Sequence, residues 1–324
     1  MDTVMTTLRM NELAGEIADR MAEQEDRLRV KVTMLPSGAR VIDAGVEAPG
    51  GFDAGLALSE ICMGGLGNVA CTPLRIGGGS WPGVTVWTDH PAMACMASQY
   101  AGWSVSVGKF FGMGSGPLRA HARVERELFE KLGYEEEASR GILVLESRSL
   151  PTDEVAEWVA QKARLGASAL TFVVVPTASL AGGVQISARI LETGLHKMET
   201  LGFDVRRVVS AMGMAPIPPV AKNDLRGIGR TNDCILYGGQ AHYTIRAGDA
   251  ELDELAAQVP ASASRDYGTP FYDIFQRYES DFYKIDPLLF SPAEVWLTST
   301  ETGRTFHAGR LNPEVLEASL YPRP

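Results

Sequence analysis

The run Leu170-Thr171-Phe172-Val173-Val174-Val175, bounded by Gly166 and Pro176, constrains the fold more than any other stretch of the chain. It lacks the polar alternation of a half-exposed strand and suits a buried one. Around it, helix and strand signals interleave. Leu8, Leu13, Ile17, Met21 and Leu28 give residues 5–28 the period of an amphipathic helix. Arg29 to Leu35 then alternates, Pro36-Ser37-Gly38 turns, and Val41-Ile42 begins a partner strand, so a hairpin follows. Short strands are expected near 69–71 and 84–87, a small-residue helix over 92–100, and strands over 103–107 and 142–145. A Pro-started helix is expected over 117–132, and another enters at Pro151-Thr152-Asp153. In the last third, strands are expected near 234–237, 243–245 and 295–298. The mixture of hairpins and helix–strand alternation points to an α/β chain of mixed α+β layers, not to a doubly wound parallel sheet.

At 324 residues the chain exceeds one ordinary core. Domains of roughly 150 residues each divide it into 1–150 and 151–324, two α/β domains. A hydrophobic fraction of 45% and a charged fraction of 22% exclude wholesale disorder. Thirty basic against forty acidic residues leave a net charge of −10, which argues against a nucleic-acid partner. No run of about eighteen uncharged apolar residues could span a membrane. Asp2, Arg9, Glu12, Glu16, Asp19 and Arg20 at the start do not form a signal peptide. Cys62, Cys71, Cys95 and Cys234 form no C-x-x-C pair and read as reduced thiols of a cytoplasmic protein. His90, His121, His242 and His307 have no ligand-like spacing, so no metal is expected. There is no G-x-S-x-G elbow and no phosphate-binding G-x-x-x-x-G-K-[ST] loop.

Three stretches carry candidate chemistry. Gly112-Met113-Gly114-Ser115-Gly116-Pro117 is expected between a strand and a helix, where it is either a tight packing turn or a backbone cradle for an anion. Pro176-Thr177-Ala178-Ser179-Leu180-Ala181-Gly182-Gly183 connects the buried strand to a helix of about sixteen residues, at a position where α/β proteins bind ligands. Its other reading is a loop with a helix N-cap. On that helix Val184, Ala188, Leu191, Leu195 and Met198 form an apolar stripe, and Gln185, Arg189, Glu192, His196 and Glu199 form a polar one beside it. Arg189 and Glu192, three apart, are neighbours on one face. Such a stripe ordinarily faces solvent. Gly227-Ile228-Gly229-Arg230-Thr231-Asn232-Asp233 is expected as a turn before a strand, with side chains that could hydrogen-bond a heterocycle or simply make the turn.

Taken in order, these stretches resemble the methenyltetrahydromethanopterin cyclohydrolase family. The resemblance rests on Gly102-Trp103-Ser104, Val107-Gly108-Lys109, and Gly112 to Pro117 with Arg119. It continues through Pro176-Thr177-Ala178-Ser179, Gln185, Arg189 to Gly194 and His196-Lys197. Gly227-Ile228-Gly229, Thr231-Asn232-Asp233, Tyr237-Gly238-Gly239 and Leu311-Asn312-Pro313-Glu314 complete the set, which spans nearly the whole chain. The resemblance implies hydrolysis of a cyclic methenyl pterin to its formyl form, with no metal or organic cofactor, in the one-carbon metabolism of methanogens and methylotrophs. It also implies two α/β domains with the pterin in the cleft between them, and a homotrimer. By the match, Glu192 is the general base and proton shuttle, Arg189 orients it and the water, and Lys109 contacts the water, the developing oxygen or an anionic part of the pterin. Gly114, Ser115, Gly116, Thr177, Ser179, Gln185, His196, Thr231, Asn232 and Asp233 are assigned to substrate binding. Two other readings compete: a nucleotide-dependent small-molecule kinase using the Gly112–Pro117 loop, and a non-catalytic pterin carrier.

Overall fold

The computed structural model describes residues 8–279, 281 and 284–321; Asp2 and residues 5–7 of the expected first helix lie outside them. Among the described residues the strands are β1 (Lys31–Met34), β2 (Arg40–Asp43), β3 (Asn68–Ile76), β4 (Gly79–Thr88), β5 (Trp103–Val107), β6 (Phe110–Ser115), β7 (Gly141–Glu146), β8 (Leu170–Val175), β9 (Val208–Pro216), β10 (Gln240–Ile245), β11 (Glu294–Ser299) and β12 (Thr305–Gly309). They form two six-stranded sheets, ordered β1-β2-β8-β7-β6-β5 and β12-β11-β10-β9-β4-β3.

Each sheet anchors one compact unit. The first unit takes the chain up to Asn68 together with Met93–Gln185, and the second takes Val69–Ala92 together with the chain from Ile186 onward. This interleaved division replaces the contiguous 1–150 and 151–324 expected from length. Strand pairing is the cause. β8 inserts in parallel between β2 and β7, drawing the segment after residue 150 into the first unit. The β3–β4 hairpin joins the edge of β9 and belongs to the second.

In the first unit the parallel trio β2, β8, β7 is flanked by antiparallel neighbours. Alternate residues of each strand serve opposite cores, as the pleat dictates. Ile42, Ile142, Val144, Val173 and Val175 pack with residues of the helices Met10–Glu23 and Phe52–Cys62. Val41, Leu143, Leu145, Phe172 and Val174 pack against the helix Asp153–Ala163. That two-sided burial is why residues 170–175 read as unbroken apolar chain; each fully buried Val, Leu or Phe contributes about 1.5–3 kcal/mol. The β1–β2 hairpin forms as expected, with Gly38 at φ +85° supplying its left-handed turn residue.

Two expectations in this unit are corrected. Gly112 to Ser115 is not a loop: it lies inside β6, paired with β5 and β7. The single helix expected over 117–132 is two, Leu118–Ala122 and Arg126–Leu132, because Arg123 adopts φ +49°, which a right-handed helix cannot continue through.

In the second unit the helix Ile190–Thr200 packs on β9 and β10, and Asp249–Gln258 packs on β11 and β12. The strand expected near 234–237 is corrected to the last turns of a helix, Asp224–Gly238, which also absorbs the expected turn at 227–233. Asn223 caps it by accepting the Arg226 N–H at 3.0 Å. The apolar run Cys234, Leu236 and Tyr237 is the helix's buried end, packed with Phe271, Ile274 and Leu316. The glycine signal at 229 has a packing origin: a Cβ there would come within 2.9 Å of Tyr272 Cβ.

Candidate active site

The C-terminal ends of β2, β8 and β7 form one edge of the first sheet, the position where parallel α/β sheets bind ligands. At the end of β2, the buried Asp43 carboxylate accepts four backbone N–H groups. Gly45 and Val46 donate to Oδ1 at 2.9 and 2.7 Å, and Glu47 and Ala48 to Oδ2, each at 2.8 Å. This clamp shapes the following loop, which meets the segment after β8: a Cβ on Gly45 would lie 2.9 Å from Ser179 Oγ. Ser179 accepts the Gly182 N–H at 3.0 Å and donates to the Pro176 carbonyl at 2.8 Å, so its hydroxyl starts the helix Leu180–Ser187.

At the end of β7, Glu146 organises what the sequence left separate. The Thr177 hydroxyl donates to its Oε1, and Gln185 Nε2 donates to its Oε2 at 3.4 Å. Gln185 Oε1 in turn lies 3.9 Å from Cys62 Sγ, which lies 3.5 Å from Ser115 Oγ. The line Ser115–Cys62–Gln185–Glu146–Thr177 thus joins three candidate residues drawn from separate stretches. Its two linking members were missed. Cys62, in the sequence one of four reduced thiols without a motif, is fully buried. Glu146 closes an apolar strand, and a lone charge after such a run gives no motif; that the residue is half-buried is a tertiary fact.

Gly116, at φ +98°, turns the chain after β6 and donates its N–H to the Ser98 carbonyl at 2.8 Å. Gly114 lies within β6, where a Cβ would sit 3.0 Å from the Trp103 carbonyl oxygen. Lys109 is exposed in the β5–β6 turn, after Gly108 at φ +57°. Because Met113 pairs with Glu146 in antiparallel register, the earlier residues of β6 and this turn extend past the same sheet edge that Glu146 closes.

Arg189 and Glu192 belong to the second unit. The helix of about sixteen residues expected here is corrected to two, Leu180–Ser187 and Ile190–Thr200, interrupted at 188–189. Ser187 anchors the interruption by donating to the Pro216 carbonyl at 2.7 Å. The consequence is chemical. Glu192 sits in the first turn of its helix, where unpaired N–H groups and the helix dipole favour a carboxylate, and Arg189 stands at the N-cap position of that helix. With exposures of 6% for Glu192 and 8% for Arg189, this end of the polar stripe is not a solvated face. The helix is held down by the Tyr243 hydroxyl, which donates to the Leu191 carbonyl at 3.0 Å. Gly194 makes that approach possible, since a Cβ there would lie 2.1 Å from the Tyr243 oxygen. One turn after Glu192, His196 is half-buried. The buried Lys197 donates to the Leu288 carbonyl, and burial pulls its ammonium down to about 8 against the opposing charge of Asp286.

Thr231, Asn232 and Asp233 sit on the helix Asp224–Gly238. The Thr231 hydroxyl donates to the Gly227 carbonyl at 2.9 Å, and Asn232 Nδ2 donates to the Ile228 carbonyl at 2.8 Å. Asp233 is fully buried, accepting the Phe271 N–H at 2.8 Å and the Ser319 hydroxyl at 2.5 Å; burial raises its carboxyl to about 7. These three side chains bond within the fold. Among the described residues no group of three or more His, Cys, Asp or Glu is placed to hold a metal ion, and no helix is long and apolar enough to cross a membrane.

The cyclohydrolase (MCH) family model matches residues 9–320. A methenyltetrahydromethanopterin cyclohydrolase of Methylobacillus flagellatus is 47% identical over 316 residues, covering 96% of this chain and 95% of the relative. The enzyme of that name from Methanococcoides burtonii is 42% identical over 312 residues, covering 96% and 98%. That from Methanocaldococcus jannaschii is 43% identical over 317 residues, covering 97% and 98%.

Proposed function

The chain belongs to the cyclohydrolase (MCH) family, and from that premise we propose that it hydrolyses the methenyl bridge of methenyltetrahydromethanopterin, reversibly, to the formyl compound, with Glu192 as general base and acid. The observation that carries the assignment is the buried Arg189–Glu192 couple at an interrupted helix start, on a chain that matches the family over residues 9–320.

The methenyl carbon lies between two nitrogens that share a positive charge, so it needs no further activation as an electrophile. Water attacks it while Glu192 takes one of the water protons. Arg189 orients the carboxylate and the water. The tetrahedral carbinolamine then breaks one C–N bond, and Glu192 returns the proton to the departing nitrogen. The remaining hydroxyl proton is lost as the formyl C=O forms. The balance is one cation and one water giving one formyl amine and one proton, so hydrolysis gains tenfold in its equilibrium ratio with each pH unit. No metal or organic cofactor enters this reaction scheme.

Lys109 contacts the water, the developing oxygen or an anionic part of the substrate. Gly114, Ser115, Gly116, Thr177, Ser179, Gln185, His196 and the half-buried Asn232 are assigned to binding; Thr231 and Asp233, buried and engaged within their helix and its neighbours, are reassigned to support. The reading also takes the enzyme as a cytoplasmic homotrimer that binds no nucleic acid. The kinase alternative loses its phosphate loop, because Gly112 to Ser115 is paired strand. The test is direct: purified protein is mixed with the methenyl substrate, and loss of its ultraviolet absorbance is followed together with proton release. Rapid, matched changes support the function; a folded protein that accelerates neither refutes it.

A further inference from the structure

We propose that Glu146 recognises the pterin ring by its pyrimidine edge, accepting the adjacent ring N–H and exocyclic amino N–H on its two carboxylate oxygens. The assignment rests on the cyclohydrolase reading, which supplies the pterin; the recognising group comes from the geometry. Two carboxylates close the parallel strands of the first sheet at the ligand-binding edge. Asp43 is saturated by four backbone N–H groups. Glu146 accepts one donor on each oxygen, from Thr177 and Gln185. A carboxylate has about four lone-pair positions, so each of its oxygens retains one for a ligand.

Those two donors also fix the orientation of the group. Gln185 is almost fully buried and Thr177 nearly so, while Glu146 itself remains half-buried, which leaves a preorganised acceptor with one side available. A 2-amino-4-oxopyrimidine presents two parallel N–H donors side by side. That is the same two-pronged pattern by which a guanidinium meets a carboxylate, and charge-assisted pairs of this kind are the strong ones. Glu146 is therefore a specificity-determining residue that grips the unreactive end of the substrate, and Thr177 and Gln185 act through it as positioning residues.

The test uses wild type, Glu146→Gln and Glu146→Asp, with the thermal midpoint recorded for each. KM for the methenyl substrate is expected to rise by about tenfold to a hundredfold in Glu146→Gln, the worth of hydrogen bonds to a charged group, with kcat changed less than about threefold. A second readout separates recognition from support. Binding of 6-methylpterin is compared with that of 6-methyllumazine, which carries a carbonyl in place of the amino group. Wild type is expected to prefer the pterin by about tenfold or more, and Glu146→Gln to lose the preference while its thermal midpoint stays unchanged. Glu146→Asp, which keeps the charge but retracts it, is expected to retain part of the preference. A Glu146→Gln protein with the wild-type preference overturns the proposal, as does a wild type that binds neither ring or does not distinguish them. Absence of turnover with an intact, Glu146-dependent pterin preference would instead defeat the cyclohydrolase reading alone.

Discussion

Replacing Glu192 by glutamine exchanges one carboxylate oxygen for an amide NH2 at nearly constant volume, so the side chain can stay in the first turn of Ile190–Thr200 and only its ability to take a proton is lost. A lost general base costs roughly 10²–10⁴ in rate. The burial of Glu192, 6% exposed, limits replacement by bulk water or buffer bases and puts the expectation in the upper half of that range, about 10³–10⁴. At 1.36 kcal/mol per power of ten, the barrier rises by about 4–5 kcal/mol. The loss should fall on kcat, because the amide is isosteric and only proton transfer is removed. The assay is the decay of the methenyl absorbance at saturating substrate, repeated under single-turnover conditions so that product release cannot mask the chemical step. A melting curve matching wild type establishes that the variant is folded. A folded Glu192→Gln protein turning over within tenfold of wild type would remove Glu192 as the base and leave Arg189 without a carboxylate to orient.

Three further perturbations follow from the geometry. Asp43→Asn turns an NH2 toward two of the four N–H groups now bound; most of these are only partly buried, so the variant should lose about 1–3 kcal/mol in urea unfolding; an unchanged midpoint refutes the clamp. Gly194→Ala drives a methyl into the Tyr243 hydroxyl, so it should cost about 1–3 kcal/mol and lower kcat by displacing the helix that carries Glu192; a stable, fully active variant would show that the contact does not position it. Asp233, raised by burial from 3.8 to about 7, binds a proton in the folded state that the unfolded chain has released. Its stabilising contribution is complete below pH about 4 and is lost as pH rises through about 7. Urea titrations at pH 5 and pH 8 should show wild type losing on the order of a few kcal/mol relative to Asp233→Asn; parallel pH profiles would contradict the shift.

The helices and strands with clean periods were legible from the chain alone. Residues 170–175, with no polar alternation, announced a strand between two cores, and the hairpin at Pro36-Ser37-Gly38 followed from turn chemistry. The ordered blocks of residues also sufficed to indicate the family, because motif order along a chain is itself sequence information. Where local signals carried two meanings, the sequence misled. Gly112 to Ser115 read as loop because alternating glycines suit a turn, yet here they lie in a paired strand, with Gly114 close against the Trp103 carbonyl. Cys234 to Tyr237 read as strand because a short apolar run has no period of its own, and only packing against Phe271 and Leu316 made it the end of a helix.

The sequence by itself determined the two-sided burial of β8, the mixed α/β class, and the presence of Arg189 and Glu192 three residues apart. Tertiary structure alone decided that their helix is interrupted just before Glu192, and that both charges are buried there. It also decided that Glu146, at the end of β7, meets Thr177 and Gln185 from beyond the end of β8. Periodicity reports which face of an element is apolar, because each residue's hydrophobicity is a property of that residue. Which distant side chains share a hydrogen bond, and which glycine must admit a neighbour's hydroxyl, depends on strand order and helix placement, and these are set by the summed packing of the whole unit.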